Sequence, residues 1–268
     1  MKKIQQMLQS GQLQESIKYV EAQLREDPMN VDLKSAFIEL LCINGELERA
    51  DKQLNLLVQK HPDFLIGASN LRQLIRAEQS RQDYMQGNSV PKLFADSDDH
   101  VEALMKLRLA LTDAQKGNDT ANEVAQCSQG LEAQRPQVSL LLDDQVNEEI
   151  RDLDDTLGGF IEIFGTDGYY YLAQLSEIEY INFQPVSSLV ETVWRRVDLA
   201  IKNGPSGEAH IPLVYGNSET DAQKLGCETD WQEVATDVMT GKGLKMWFAD
   251  DNALPLNQVT KIHTPVLQ

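Results

Sequence analysis

The sequence predicts an α+β, two-domain protein: an N-terminal tetratricopeptide-like α-helical repeat superhelix followed by a β-rich α+β domain. Three observations carry this. A 34-residue repeat opens the chain, apolar residues keep helical spacing to about residue 136, and beyond Gly158-Gly159 short alternating runs separated by turn residues take over. The expected division is a helical repeat domain over 1–136, an inter-domain segment over 137–157 and a β-rich domain over 158–268. At 268 residues the chain is long enough to bury two cores.

The repeat is read from Gly11-Gln12-Leu13 and Gly45-Glu46-Leu47, which lie 34 residues apart, as do Pro28 and Pro62, and Ser16 and Ala50. Thirty-four is the tetratricopeptide period, and the small residue falls where paired helices approach closely. The helices expected are Lys2–Ser10 with Gln12–Arg25, then Asn30–Ile43 with Glu46–Lys60. Leu33, Phe37, Leu40 and Leu41 share one helical spacing, and Leu47, Leu54, Leu57 and Val58 another. A longer amphipathic helix follows over Phe64–Tyr84, with Ala68, Leu71, Leu74 and Ile75 inward, and Gln86-Gly87-Asn88-Ser89-Val90-Pro91 breaks it. Ser97-Asp98-Asp99 caps the next helix, whose apolar positions are Val101, Leu104, Met105, Leu107, Leu109 and Leu111. Its partner runs over Asp119–Gln134 and stops at Arg135-Pro136. A stack of about three helix pairs results, and such stacks offer a concave face to a peptide or helix.

The second half is organised around Asp152–Leu172. Phe160, Ile161, Ile163 and Phe164 are joined to Tyr169, Tyr170, Tyr171 and Leu172 by Gly165-Thr166-Asp167-Gly168, strong hairpin chemistry. Further strands are expected over Ile178–Phe183, Val193–Ile201, Ala209–Tyr215, Asp230–Ala235 and Leu244–Phe248, with a short helix over Glu219–Leu225. Thr240–Gly243 reads as a flexible approach, and the tail containing Pro255 and Pro265 as a surface drape.

Net charge is −18, with 24 acids against 16 bases in residues 1–150 and 18 against 8 in 151–268. A surface this acidic repels phosphate backbones, which argues against nucleic acid and favours a basic partner segment. Cys42, Cys127 and Cys227 are far apart and show no CxxC spacing, which suits a reducing, cytoplasmic setting. No apolar run has the length of a signal peptide core or a membrane span.

Particular motifs resemble the ImpE family (also called TagJ), accessory proteins of bacterial type VI secretion. They are Asp152-Leu153-Asp154-Asp155, Leu157-Gly158-Gly159, Phe164-Gly165-Thr166-Asp167-Gly168-Tyr169-Tyr170, Trp194-Arg195-Arg196, Gly204-Pro205-x-Gly207 and Thr229-Asp230-Trp231. With helical repeats in front, the resemblance covers essentially the whole chain. It implies a non-enzymatic adaptor that binds the N-terminal helix of the small subunit of the contractile sheath. It assigns no contact residues.

No catalytic, cofactor or metal residue emerges from the motifs themselves. Asp152, Asp154 and Asp155 lack the frame of an EF-hand and read as a solvated acidic turn. Glu162, Asp167 and Glu177 read as carboxylates on solvated faces rather than an acid–base pair. His61, His100, His210 and His263 have no i, i+4 or cysteine partner and read as surface or capping residues. Neither a nucleophile elbow nor a P-loop is present. In a strand Trp194 and Arg196 share a face, giving a core indole and arginines paired with the protein's own acids. Two functional classes follow: an adaptor that captures a helix, or a small-ligand or enzymatic C-terminal domain with the repeats as a docking arm. A shallow apolar groove favours the first, a deep pocket of converging ionisable groups the second.

Overall fold

A computed structural model describes residues 2–265. Seven α-helices come first: α1 Lys2–Gln9, α2 Leu13–Glu26, α3 Val31–Asn44, α4 Leu47–Lys60, α5 Leu65–Met85, α6 Asp99–Gln115 and α7 Ala121–Gln134. The 34-residue period has a backbone cause. Gly11 and Gly45 both take left-handed φ (71° and 84°), and at the end of α3 this turns the Gly45 N–H onto the Cys42 carbonyl. Ser16 and Ala50, the small residues of the repeat, are fully buried. Asp98 caps α6 by accepting the Val101 N–H at 2.9 Å. Leu109, one of the apolar positions of α6, is 64% exposed; it lies off the stripe formed by Leu104, Leu107 and Leu111.

The C-terminal half holds β1 Leu140–Leu142, β2 Gln145–Asn147, β3 Ile150–Asp152, β4 Phe160–Gly165, β5 Tyr170–Gln174, β6 Ile178–Phe183, β7 Trp194–Ile201, β8 Ser206–Pro212, a helical turn α8 Asp221–Lys224, β9 Thr229–Ala235, β10 Val238–Gly243, β11 Met246–Ala249, β12 Asn252–Pro255 and β13 Lys261–His263. An eight-stranded antiparallel sheet runs β2-β1-β13-β6-β7-β8-β4-β5; β9 and β10 form a hairpin, and β12-β11-β3 a small sheet. Residues 137–157, expected to lie between domains, contribute β1 and β2 to the large sheet and β3 to the small one. Two expectations are corrected. Thr240–Gly243 belongs to β10, paired along its length with β9. The tail does not drape: Lys261–His263 is inserted between β1 and β6, an order no local pattern reveals.

The β4–β5 hairpin positions everything else. Gly168 has φ 85°, its N–H reaches the Gly165 carbonyl, and Asp167 accepts the Tyr169 N–H at 3.1 Å. Alternation then divides the side chains. Phe160, Phe164, Tyr170, Leu172 and Trp194 pack into the same core as the helices, while Ile161, Ile163, Ala173, Val197, Leu199 and Ile211 fill a second core with Trp247. The β4–β5 end of the sheet, with Trp194 of β7, therefore presents its face to the helical domain.

Candidate functional site

The seam between helices and sheet is closed at one end by ions. Glu162 shares the helix-facing side of β4 with Phe160 and Phe164, so its carboxylate meets Arg81 of α5. Two guanidinium nitrogens donate to it at 2.7 Å, Tyr170 Oη at 2.8 Å, and Lys245 Nζ also bonds to it. Arg81 reaches the Val214 carbonyl at 2.9 Å as well. Burial alone drives the Glu162 carboxyl upward, but Arg81 and Lys245 outweigh it and hold the group well below the usual carboxylate range. The expectation of a solvated face is wrong for Glu162, which is 3% exposed.

The acidic turn is corrected in the same way, because Asp152 and Asp154 are buried. Asp152 accepts from Tyr215 Oη at 2.7 Å and from the Asp154 N–H at 2.9 Å. Asp154 accepts from Thr156 Oγ1 at 2.6 Å and the Gly241 N–H at 2.9 Å, tying the turn to β10. Asp155 pairs with Arg151 at 2.5 Å and accepts the Met239 N–H at 2.8 Å. Burial first, and then the neighbouring Asp154, push Asp152 up to about 7 against the pull of Lys245. Asp167 serves its own turn and Glu177 accepts the Gln174 N–H, so neither joins Glu162. No group of three or more His, Cys, Asp or Glu arranged to hold a metal ion occurs among the described residues.

At its other end the seam is open. A hollow of about 290 Å³ lies between α3, α4 and α5 on one side and β7, β8 and the Val190–Thr192 turn on the other. Its helical wall is mostly apolar, with Ile38, Leu54, Leu57, Phe64, Ala68, Leu71 and Leu74 beside the polar Ser35, Glu39 and Asn70; its sheet wall is polar, with Glu191, Arg196, Glu208 and His210. A second hollow of about 630 Å³ continues it along α3 towards α1, and the two share Ser35, Glu39 and Ser188. Phe64, Leu65 and Ile66 stand exposed where α4 passes into α5. Glu39 accepts the Val190 N–H at 3.0 Å, which pins the turn against α3.

Trp194 is a core indole, as expected, edge-on to Phe164 at 5.7 Å. Arg196 pairs with Glu191 and Glu208, whereas Arg195 donates to the Glu191 carbonyl rather than to an acid. The histidines are only partly as expected. His100 is buried, stacked on Phe160 and bonded through Nδ1 to Gln174, and His210 is buried in the groove wall. Cys42, Cys127 and Cys227 are free thiols. The groove itself escaped sequence reasoning; its available signal was the alternation of Glu208 with His210 and of Trp194 with Arg196 on paired strands.

Residues 144–263, most of the β-rich half, match the model of the family described as ImpE protein. The chain is 24% identical over 253 residues to the type VI secretion system accessory component TagJ of Pseudomonas aeruginosa, covering 93% of this chain and 87% of that protein. Residues 144–263 thus carry an ImpE domain. Among solved structures, the crystal structure of protein VPA1032 from Vibrio parahaemolyticus matches with a TM-score of 0.91 and 35% identity, covering 99% of this chain and 98% of that one. The likeness to that structure thus extends across helices, seam and sheet, beyond the ImpE domain of the β-rich half. No helix among the described residues is long and apolar enough to cross a membrane.

Proposed function

We propose that this chain is a cytoplasmic, non-enzymatic adaptor of a type VI secretion system, and that its interdomain groove holds the N-terminal helix of the small contractile-sheath subunit. The observation that carries the proposal is the groove: a continuous hollow along α3, apolar on the helical side and open to an incoming helix face. The kinship with an accessory component supports the system, and the family resemblance supplies the partner. Both walls are held in place before binding, by the Arg81–Glu162 pair and by the Glu39–Val190 bond, so little ordering cost falls on the protein. The chain's charge of −18 speeds capture of a basic helix, while the apolar wall supplies most of the affinity.

The test is titration of a peptide spanning that sheath helix, at low and high salt, into the protein and into Gly67→Trp. A Cβ at Gly67, on the groove wall of α5, meets no other atom, so the indole fills the groove without entering the core. The expected outcome is binding that weakens but persists in salt, and is lost in Gly67→Trp with no fall in thermal stability. Failure of both the peptide and the intact sheath subunit to bind the unaltered protein rejects the adaptor reading. Stoichiometric zinc or calcium in protein purified without added metal overturns the non-enzymatic part.

A further inference from the structure

We infer that the acidic side of the groove, formed by Glu39 of α3 with Glu191 and Glu208, reads one arginine or lysine of the docked helix, placed among its apolar positions. The inference rests on the helix-binding reading above and states what that helix must carry.

Three carboxylates, Glu39, Glu191 and Glu208, line the hollow against a single cation, Arg196. Arg196 reaches Glu191 at 3.3 Å and Glu208 at 3.6 Å, whereas Glu39 has no ion-pair partner among the described residues. The hollow therefore has two more carboxyl groups than cations beside an apolar surface, where a counter-charge is screened less than in open water. Burial first, and then the nearby Glu191, push the Glu39 carboxyl up, although the Val190 N–H opposes them; an incoming cation relieves that cost.

A second observation is independent of the acids. His210 is 8% exposed, lines the hollow, and has its Nδ1 buried without a partner. Buried polar atoms left unpaired are uncommon in folded proteins. Burial lowers the affinity of this ring for a proton against the pull of Glu208 and Glu191. A guanidinium or ammonium group brings donors and a positive charge to these carboxyl groups. A carboxylate there would be repelled, which gives the groove a means of rejecting acidic helices. Leu54, Leu57 and Leu71 face this polar wall across the hollow, so the cationic side chain belongs about one turn from apolar ones, at i, i+3 or i+4.

The experiment titrates the sheath-helix peptide into the unaltered protein and into Glu39→Gln, Glu208→Gln and the double variant, each at two salt concentrations. Glutamine at 39 keeps an acceptor for the Val190 N–H, and equal melting temperatures check that the fold is intact. The double variant is expected to bind on the order of ten-fold more weakly and with a shallower salt dependence. One basic position of the peptide, replaced by Met, should cost the unaltered protein a similar factor and the double variant little. The ring-nitrogen NMR signals of His210 should shift when the unaltered peptide binds. Equal affinity and equal salt dependence in the double variant, or an unmoved His210 signal, overturns the inference and leaves the helix-docking reading standing. Failure of peptide and intact subunit to bind the unaltered protein overturns both.

Discussion

Two stretches of the same seam use ionisable residues in opposite ways. Between α5 and β4, Arg81, Glu162, Lys245 and Tyr170 are buried and satisfy one another; Arg81 is 2% exposed and Glu162 3%. Between α3–α5 and β7–β8, Glu39 lacks a counter-ion, His210 keeps an unpaired nitrogen, and Phe64 is 42% exposed beside them. A buried network completed within the chain holds two halves in register. The incomplete one leaves interactions for another molecule to make. The comparison teaches that in this fold burial of charge is not itself the mark of a binding site, and that an unmatched group, such as Tyr84 Oη near the closed end, matters only where it lies beside an open hollow.

The largest break in that contrast is expected from Glu162→Gln, which leaves Arg81 and Lys245 buried beside a neutral side chain. Loss of one partner from such a pair costs about 3–5 kcal/mol, to be read by denaturant unfolding. Next comes Asp152→Asn. The folded-state value of Asp152, about 7, lies above the ordinary 3.8, so this group's stabilising contribution is present below about pH 4 and is lost as pH rises through 7. Asparagine can keep accepting from Tyr215 and the Asp154 N–H without ionising. The variant should therefore gain on the unaltered protein by an amount on the order of a few kcal/mol between pH 4 and 8, in melting curves taken across that range. Glu162 works the other way, its contribution being present above about 4.5 and lost as pH falls.

A smaller effect is expected from Gly168→Val. Its φ of 85° disfavours a β-branched residue, and the hairpin turn rests on Gln73 and Arg76 of α5, on the closed side. The expected cost is about 1–3 kcal/mol, and an unchanged melting temperature would remove the turn from the clamp. The smallest is Glu208→Gln, on the open side. Its carboxylate is half exposed and 3.6 Å from Arg196, so stability should change by less than about 1 kcal/mol while peptide affinity falls. A stability loss as large as that of Glu162→Gln would erase the distinction between the two stretches.

Much of the architecture was legible from local patterns. Helix ends follow from Gly45 and Asp98, and the hairpin from Asp167-Gly168, because capping and turn chemistry act within a few residues. Strand alternation also put Glu162 on the face of Phe160 and Phe164, yet the carboxylate was read as solvated. Only distant partners, Arg81 on α5 and Lys245 after β10, make its burial tolerable. The same holds for Asp152, whose partner Tyr215 is 63 residues away.

The sequence by itself determined the order of α1 to α7, the β4–β5 hairpin, the strands β6 to β9, the two-domain α+β class and the ImpE resemblance, since each rests on short-range spacing or on contiguous motifs. Tertiary structure alone decided that β13 enters the middle of the large sheet, that one seam closes over Glu162, and that the other stays open beside His210. The physical reason is range. Turns and helix stripes are set by neighbours, whereas a charge becomes a clamp or a site only when distant segments supply, or fail to supply, its partner.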